Sequence, residues 1–259
     1  MQQYLQDHNS FSKYWQKKIE FEDYIKQKKE LYYQLLLYIE NEAFSDENFQ
    51  NLIRHINTQN TKENRQELRE FFCLLLKISN NHFKSANFMN KIQRIISELK
   101  DNIINTFSNS EIFDIFKCNK NILLYLIKKS ILTIDKAIAY QILEKSDTKY
   151  PKYHLFFASE IKQFVDFDMW SDIENELLRY NSQIFENFEI NRQNGENESF
   201  ICSLIRDDSV EEFISYVNRT NISFSSQIKT SIFETNSFLL KKKEPTLIEY
   251  AAFYGSIQI

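Results

Sequence analysis

Two glycines and two prolines are all that this chain of 259 residues contains. Ordinary usage of about 7% Gly and 5% Pro would give roughly 31. Glycine is the residue that enters positive φ without penalty, and proline presets turns. A chain so poor in both cannot supply Gly-rich phosphate loops, the punctuated turns of a β-sandwich, or the turns of most α/β enzymes. Valine, a strong strand former, occurs only at Val165, Val210 and Val217, which also argues against a sheet. The expectation is an all-α protein.

A core is affordable. Hydrophobic residues make up 42% and aromatics 15%, and a chain of this length buries roughly 70–75% of its unfolded surface. The net charge of −4 gives no polycationic surface for phosphate. A nucleic-acid or membrane-surface binder would need Lys17, Lys18, Lys28, Lys29, Lys128 and Lys129 to converge. Cys73, Cys118 and Cys202 are far apart and odd in number, so neither a disulfide framework nor a zinc site is expected. The longest apolar runs, Phe71–Leu76 and Ile122–Ile127, hold about six residues, against about 20 for a bilayer span. Met1–His8 lacks a basic or apolar leader. The expected location is intracellular, cytoplasmic or nuclear.

Apolar spacing predicts the helices. One or two lie between Phe11 and Ile39. The next is capped by Ser45-Asp46-Glu47 and carries Phe49, Leu52, Ile53 and Ile56 on one face. A third spans 62–79, with Phe71–Leu76 apolar all round and therefore central. A fourth spans 86–107. Shorter segments follow: Ser110 opens Ile112–Phe116, Asn119 opens Ile122–Lys129, and Asp135 opens Ala137–Leu143. Ser171 and Ser209 have the capping-box form. The polar stretch 191–198 is the expected domain boundary, dividing a helical domain (1–190) from 191–259. Residues 218–243 read as a long connection with one short helix near 225–233.

Candidate chemistry is sparse. His8, His55, His82 and His154 have no partner at metal-ligand spacing. Asp166–Asp172 resembles a calcium loop but has Ser171 where the sharp turn needs Gly and Leu177 where it needs Glu. It reads as an acidic helix start, as do Asp207, Asp208, Glu211 and Glu212. Trp15 and Trp170 read as core, and Lys241-Lys242-Lys243 as a solvated run. No catalytic residue, cofactor-binding residue or metal ligand is assigned.

One segment carries a signature. Thr246-Leu247-Ile248-Glu249-Tyr250-Ala251-Ala252-Phe253-Tyr254-Gly255 resembles the ankyrin repeat, T-P-L-H-x-A-A-x-x-G, with Leu247 in place of Pro and Glu249 in place of His. Thr246 can cap the helix and Gly255 can close it. Ser199–Ile205 followed by Ser209–Val217 resembles a degenerate second unit. Ser199 and Thr246 lie 47 positions apart. The repeat period is 33, so an insertion of about 14 is implied. The chain as a whole resembles the N-terminal part of large protist ankyrin-repeat proteins, with an irregular helical array leading into ankyrin-like helix-turn-helix repeats. Ile259 falls at the start of a second helix, so the array reads as a truncated solenoid, a fragment.

The resemblance implies a non-catalytic protein-protein interaction scaffold. Its usual contact positions fall on Pro245, Phe253 and Tyr254. The competing reading for Phe253 and Tyr254 is that they pack against the missing next repeat. Protein partners are expected, with no nucleic acid, membrane, cofactor or small-molecule substrate. The alternative is an enzyme with an unfamiliar all-helical fold, which would need carboxylates of raised pKa in a cleft.

Overall fold

The structure is a computed structural model. It describes residues 2–40, 46–59, 65–81, 87–144, 152–180, 184–236, 239–240, 244–256 and 258, with backbone alone at 2–15, 55, 57–59 and 81. The side chains of His8, Trp15 and His55, and residues Ser45, His82 and Lys241–Lys243, lie outside the described residues. The chain is all-helical: among the described residues the one β-type pairing is an isolated bridge between Gln227 and Thr246. It divides into two compact units, residues 1–67 and 68–259.

In the first unit, α1 (Gln2–Glu40) is one continuous helix of 39 residues. No Gly or Pro interrupts it, and its Gln, Glu, Lys and Leu residues are strong helix formers. α2 (Asp46–Gln59) opens with Asp46 and Glu47 at the positive end of its dipole. The predicted face Phe49, Leu52, Ile53 and Ile56 is buried, and Tyr38 of α1 meets Phe49 at 5.0 Å between ring centroids.

The second unit takes in α3 (Arg65–Asn81) from Leu68 onward. Phe71, Phe72, Leu75 and Leu76 are buried, but Cys73 is exposed and Leu74 half-buried. The run expected to be apolar all round is therefore one-sided. The single helix expected over 86–107 is two, α4 (Phe88–Glu98) and α5 (Lys100–Thr106), because the backbone leaves helical geometry at the buried Leu99 (φ −97°, ψ 10°). α6 (Asn109–Phe116) starts two residues before the position assigned from Ser110. Ser108 is the cap, closed by the Glu111 carboxylate, which accepts from Ser108 N at 2.9 Å and Oγ at 2.7 Å.

α7 (Lys120–Lys128) and α8 (Lys136–Glu144) open where expected. The Asn119 carbonyl oxygen accepts from Ile122 N at 3.0 Å, while its amide donates to Ser79 Oγ at 3.2 Å and Asn80 Oδ1 at 2.9 Å. One side chain thus caps α7 and ties it to the end of α3. Phe72 and Phe116 meet at 5.2 Å in the same layer. Asp135 Oδ1 caps α8 through Ile138 N at 2.9 Å.

α9 (Tyr153–Phe156) and α10 (Ala158–Ile161) are single turns. α11 (Phe167–Tyr180) begins at Asp166, whose Oδ1 accepts from Met169 N at 2.9 Å. The acidic stretch is thus a helix start. Its cap is Asp166, and Ser171 lies a turn inside the helix. Trp170 is half-buried, with Lys162 Nζ 4.3 Å above its ring.

α12 (Phe188–Asn194) takes up much of the polar stretch. Arg192 is only 3% exposed, and Gly195 and Asn197 are buried. Arg192 Nη1 donates to Phe156 O at 3.1 Å and Glu160 Oε2 at 2.6 Å, and Nη2 lies 2.7 Å from Glu189 Oε1. α13 (Phe200–Arg206), α14 (Val210–Thr220) and α15 (Leu247–Tyr254) follow.

The short helix expected near 225–233 is absent. Residues 222–236 form an irregular strap that pairs with the start of α15: Ile228 N donates to Pro245 O at 2.7 Å and Leu247 N to Ser226 O at 3.1 Å. Its side chains take the backbone donors that a helix would need. Ser231 Oγ accepts from Phe233 N at 2.9 Å, and Glu234 Oε1 from Asn236 N at 2.7 Å. Such local bonds compete with helix.

The two glycines both sit at positive φ (67° and 69°), yet they differ in surroundings. A Cβ on Gly195 would lie 2.6 Å from Asn121 Nδ2 and 3.0 Å from Thr235 Oγ1, whereas one on Gly255 would meet nothing within 4 Å. Gly255→Ala is expected to cost about 1 kcal/mol, the conformational penalty alone. Gly195→Ala is expected to cost about 2–4 kcal/mol, since steric displacement adds to it. Chemical denaturation of both variants checks this; equal costs would remove the packing role assigned to Gly195.

Candidate functional site

α13, α14 and α15 share one apolar cluster. Cys202, Leu204, Ile205, Phe213, Leu247, Tyr250, Ala251 and Tyr254 are buried in it, with Ile228 and Leu239 from the connection. Thr246 and Glu249 form a reciprocal capping box: Thr246 Oγ1 accepts from Glu249 N at 3.3 Å, and Glu249 Oε2 from Thr246 N at 3.0 Å. Glu249 therefore has a local role that the three-residue spacing to Thr246 signals.

The three sequence-assigned contact residues lie at this cluster, with unequal exposure. Pro245 is buried, and its carbonyl is engaged by Ile228 N. Tyr254 is 5% exposed and stacks on Tyr250 at 4.8 Å. Phe253 is half-buried, edge-on to Tyr254 at 5.1 Å. Of the three, Phe253 keeps the largest share of its surface in solvent. Ile248, on the same helix, is 58% exposed.

Arg206 is the polar hub of the cluster. Its Nε pairs with Glu196 Oε2 at 2.9 Å, and its Nη1 donates to Asn197 O at 2.8 Å and Tyr250 Oη at 2.9 Å. Burial pushes the Tyr250 and Tyr254 hydroxyls well above the usual tyrosine range, reinforced at Tyr250 by the charges of Tyr254 and Glu234 and at Tyr254 by those of Glu234 and Glu196. Burial likewise raises the Cys202 thiol to about 11, which leaves it protonated and inert at neutral pH. Beside the strap, Tyr180 Oη donates to Glu198 Oε1 at 2.8 Å, and the ring carries Lys152 Nζ at 4.7 Å and Lys229 Nζ at 5.0 Å. Ser231 donates to the other Glu198 oxygen.

Lys120 is the most unusual ionisable group, and the sequence analysis did not single it out. It is 1% exposed. Its Nζ donates to Ile232 O at 3.2 Å and Glu234 O at 3.4 Å, and sits 5.4 Å and 5.3 Å from the Tyr153 and Phe156 ring centroids. Burial lowers its pKa to about 7, with the Glu234 charge opposing the shift. A neutralisable lysine is a candidate nucleophile in principle. Here aromatic rings and backbone carbonyls occupy its surroundings, so it fits a clasp between α7 and the strap. Lys120 opens a helix whose next residues, Asn121–Leu124, are all buried.

Among the described residues no cluster of His, Cys, Asp and Glu is arranged to hold a metal ion, and no helix is long and apolar enough to cross a membrane. His154 Nε2 lies 3.0 Å from Glu176 Oε2 in a two-residue contact. Of the six lysines considered for a basic surface, Lys17, Lys18, Lys28 and Lys29 belong to the first unit and Lys128 and Lys129 to the second. Comparison with known proteins finds no significant match to any family model, curated protein or solved structure.

The clasp has a pH signature. Between about pH 7 and 10.5 the unfolded chain holds a proton on Lys120 that the folded chain lacks. This group's contribution therefore makes stability rise as pH rises through that window. Lys120→Met is expected to remove that rise, on the order of a few kcal/mol across the window. Denaturation of parent and variant at pH 6.5 and 10 checks it; parallel pH profiles would place the ammonium in solvent.

Proposed function

We propose that the chain is a non-catalytic scaffold for protein-protein interaction, with ankyrin-type helix pairs at 191–259. The observation that carries the reading is a helix closure that recurs. After α7, Ile131 N donates to Leu126 O at 2.9 Å and Ser130 N to Ile127 O at 3.0 Å, with Ser130 at φ 53°. After α13, Ser209 N donates to Leu204 O at 3.0 Å and Asp208 N to Ile205 O at 3.1 Å, with Asp208 at φ 49°. After α15, Ser256 N donates to Ala251 O at 3.1 Å and Gly255 N to Ala252 O at 3.4 Å, with Gly255 at φ 69°. Each is a short helix ended by a left-handed residue, the Schellman arrangement. α7 and α13 then lead into a second helix. Stacked helix pairs of this kind build extended surfaces for partners.

Two further features support the reading. α15 begins with the Thr-capped turn and ends with the glycine that the ankyrin resemblance calls for. The three most strongly shifted groups, Lys120, Tyr250 and Tyr254, are packed inside the protein, whereas an enzyme needs such groups at a cleft. The partner-facing surface on α15 is then the side bearing the exposed Ile248 and Ala252, with the open part of Phe253 at its margin.

The test is cross-linking of a captured partner to the intact chain, with the linked residues mapped. Cross-links concentrated at 199–256, and capture reduced about tenfold or more by Ile248→Asp, are expected. Cross-links confined to 1–190 would remove the ankyrin-type assignment. Failure of any protein to co-purify in saturable amount would remove the scaffold reading.

A further inference from the structure

α13 and α14 enclose an open groove of about 510 Å³ lined by Phe200, Glu211, Glu212, Ser215, Tyr216 and Arg219. Positions 212, 215, 216 and 219 recur at helical spacing, so they form one stripe along α14. Phe200, the first residue of α13, meets Tyr216 edge-to-face at 5.4 Å and is still 55% exposed. The floor of the groove is therefore aromatic and wet. One end is acidic: Glu211 and Glu212 are exposed, and among the described residues neither meets a Lys or Arg at salt-bridge distance. The other end is basic, with Arg219 placed 5.7 Å over the Tyr216 ring.

Helix-dipole chemistry accounts for glutamates in the first turn and an arginine in the last. It gives no reason for two aromatic side chains, one of them more than half exposed, to line the space between them. Aromatic faces beside carboxylates attract a cationic side chain by cation–π and ionic terms together. The Tyr216 ring already carries the Arg219 guanidinium, three residues on along the same helix. Seven residues separate Glu212 from Arg219, about 10.5 Å along the helix. Three residues of extended peptide span about the same distance.

We propose that this groove binds an extended peptide segment of a partner protein, with a Lys or Arg against Glu211 and Glu212. An aromatic or apolar residue lies on Phe200 and Tyr216, and a carboxylate three positions from the cation meets Arg219. The proposal rests on the interaction reading above for its biological use, but its chemistry is tested separately. A membrane or nucleic acid is disfavoured because the unpaired charge of the groove is negative.

The experiment is a fluorescence-anisotropy titration of the full chain with labelled acetyl-Arg-Trp-Ser-Glu-amide, and with acetyl-Glu-Trp-Ser-Glu-amide as control. Saturable binding of the first is expected, with the second weaker by about tenfold or more. Glu211→Gln with Glu212→Gln is expected to weaken binding about tenfold while lowering the thermal midpoint by only a few degrees, the loss of their interaction with the helix N-terminus. Phe200→Ala is expected to weaken it about fivefold. Equal binding of the two peptides, no saturation at millimolar concentration, or indifference to the glutamate changes would each overturn the proposal. A captured partner whose binding survives Glu211→Lys with Glu212→Lys would also overturn it, while leaving the scaffold reading intact.

Discussion

Backbone carbonyls of an irregular segment must find donors, and that requirement organises the second unit. The strap 222–236 has neither helix nor sheet to satisfy it. Ile232 and Glu234 turn their carbonyls to Lys120, Lys229 accepts from Asn197 Nδ2 at 3.0 Å, and Gly195 O takes both Thr235 N at 3.1 Å and Thr235 Oγ1 at 2.8 Å. The strap is thereby held to α7 and to the end of α12, and through Pro245 to α15. Polar groups that read as surface in the sequence are the interior fastening of this unit. Hydrogen bonds are directional, so these contacts hold the strap to α7 and α12 at defined positions.

Much of the helical pattern was legible because periodicity reports burial directly. Phe49, Leu52, Ile53 and Ile56 line one face as their spacing requires, and Asn119 and Asp135 cap where short polar side chains precede apolar runs. Errors came where two local signals overlapped. Ser108 and Ser110 both precede α6, and the glutamate three residues on from Ser108 decides between them. Ser171 has the capping-box form, but Asp166 acts first and the helix is under way before Ser171 is reached. Over 225–233 the spacing of Ile228, Ile232 and Phe233 fits a short helix, but side-chain bonds to the backbone outcompete it.

The candidate site was legible only in its helix ends. Thr246 and Gly255 announce α15 because capping and left-handed closure have compositional signatures. Burial of Pro245 and Tyr254 depends on where the distant strap returns, which no local pattern encodes. Lys120 and Arg192 were hidden for a related reason. A lone charge in a helical pattern is assigned to the solvent face by default, and only partners brought in from other parts of the chain make an interior position tolerable: the Ile232 and Glu234 carbonyls for Lys120, the Phe156 carbonyl and Glu160 carboxylate for Arg192.

The scarcity of glycine has a consequence at the turns. Ser130, Lys152, Asp208 and Asn221 all adopt positive φ between 49° and 64°, a region that costs a residue with a side chain about 1 kcal/mol. The chain therefore carries distributed conformational debt in its connections, and its helices are packed well enough to hold it. Thermal tolerance in such a molecule has unused headroom at its corners, reachable without altering a single residue of the interior.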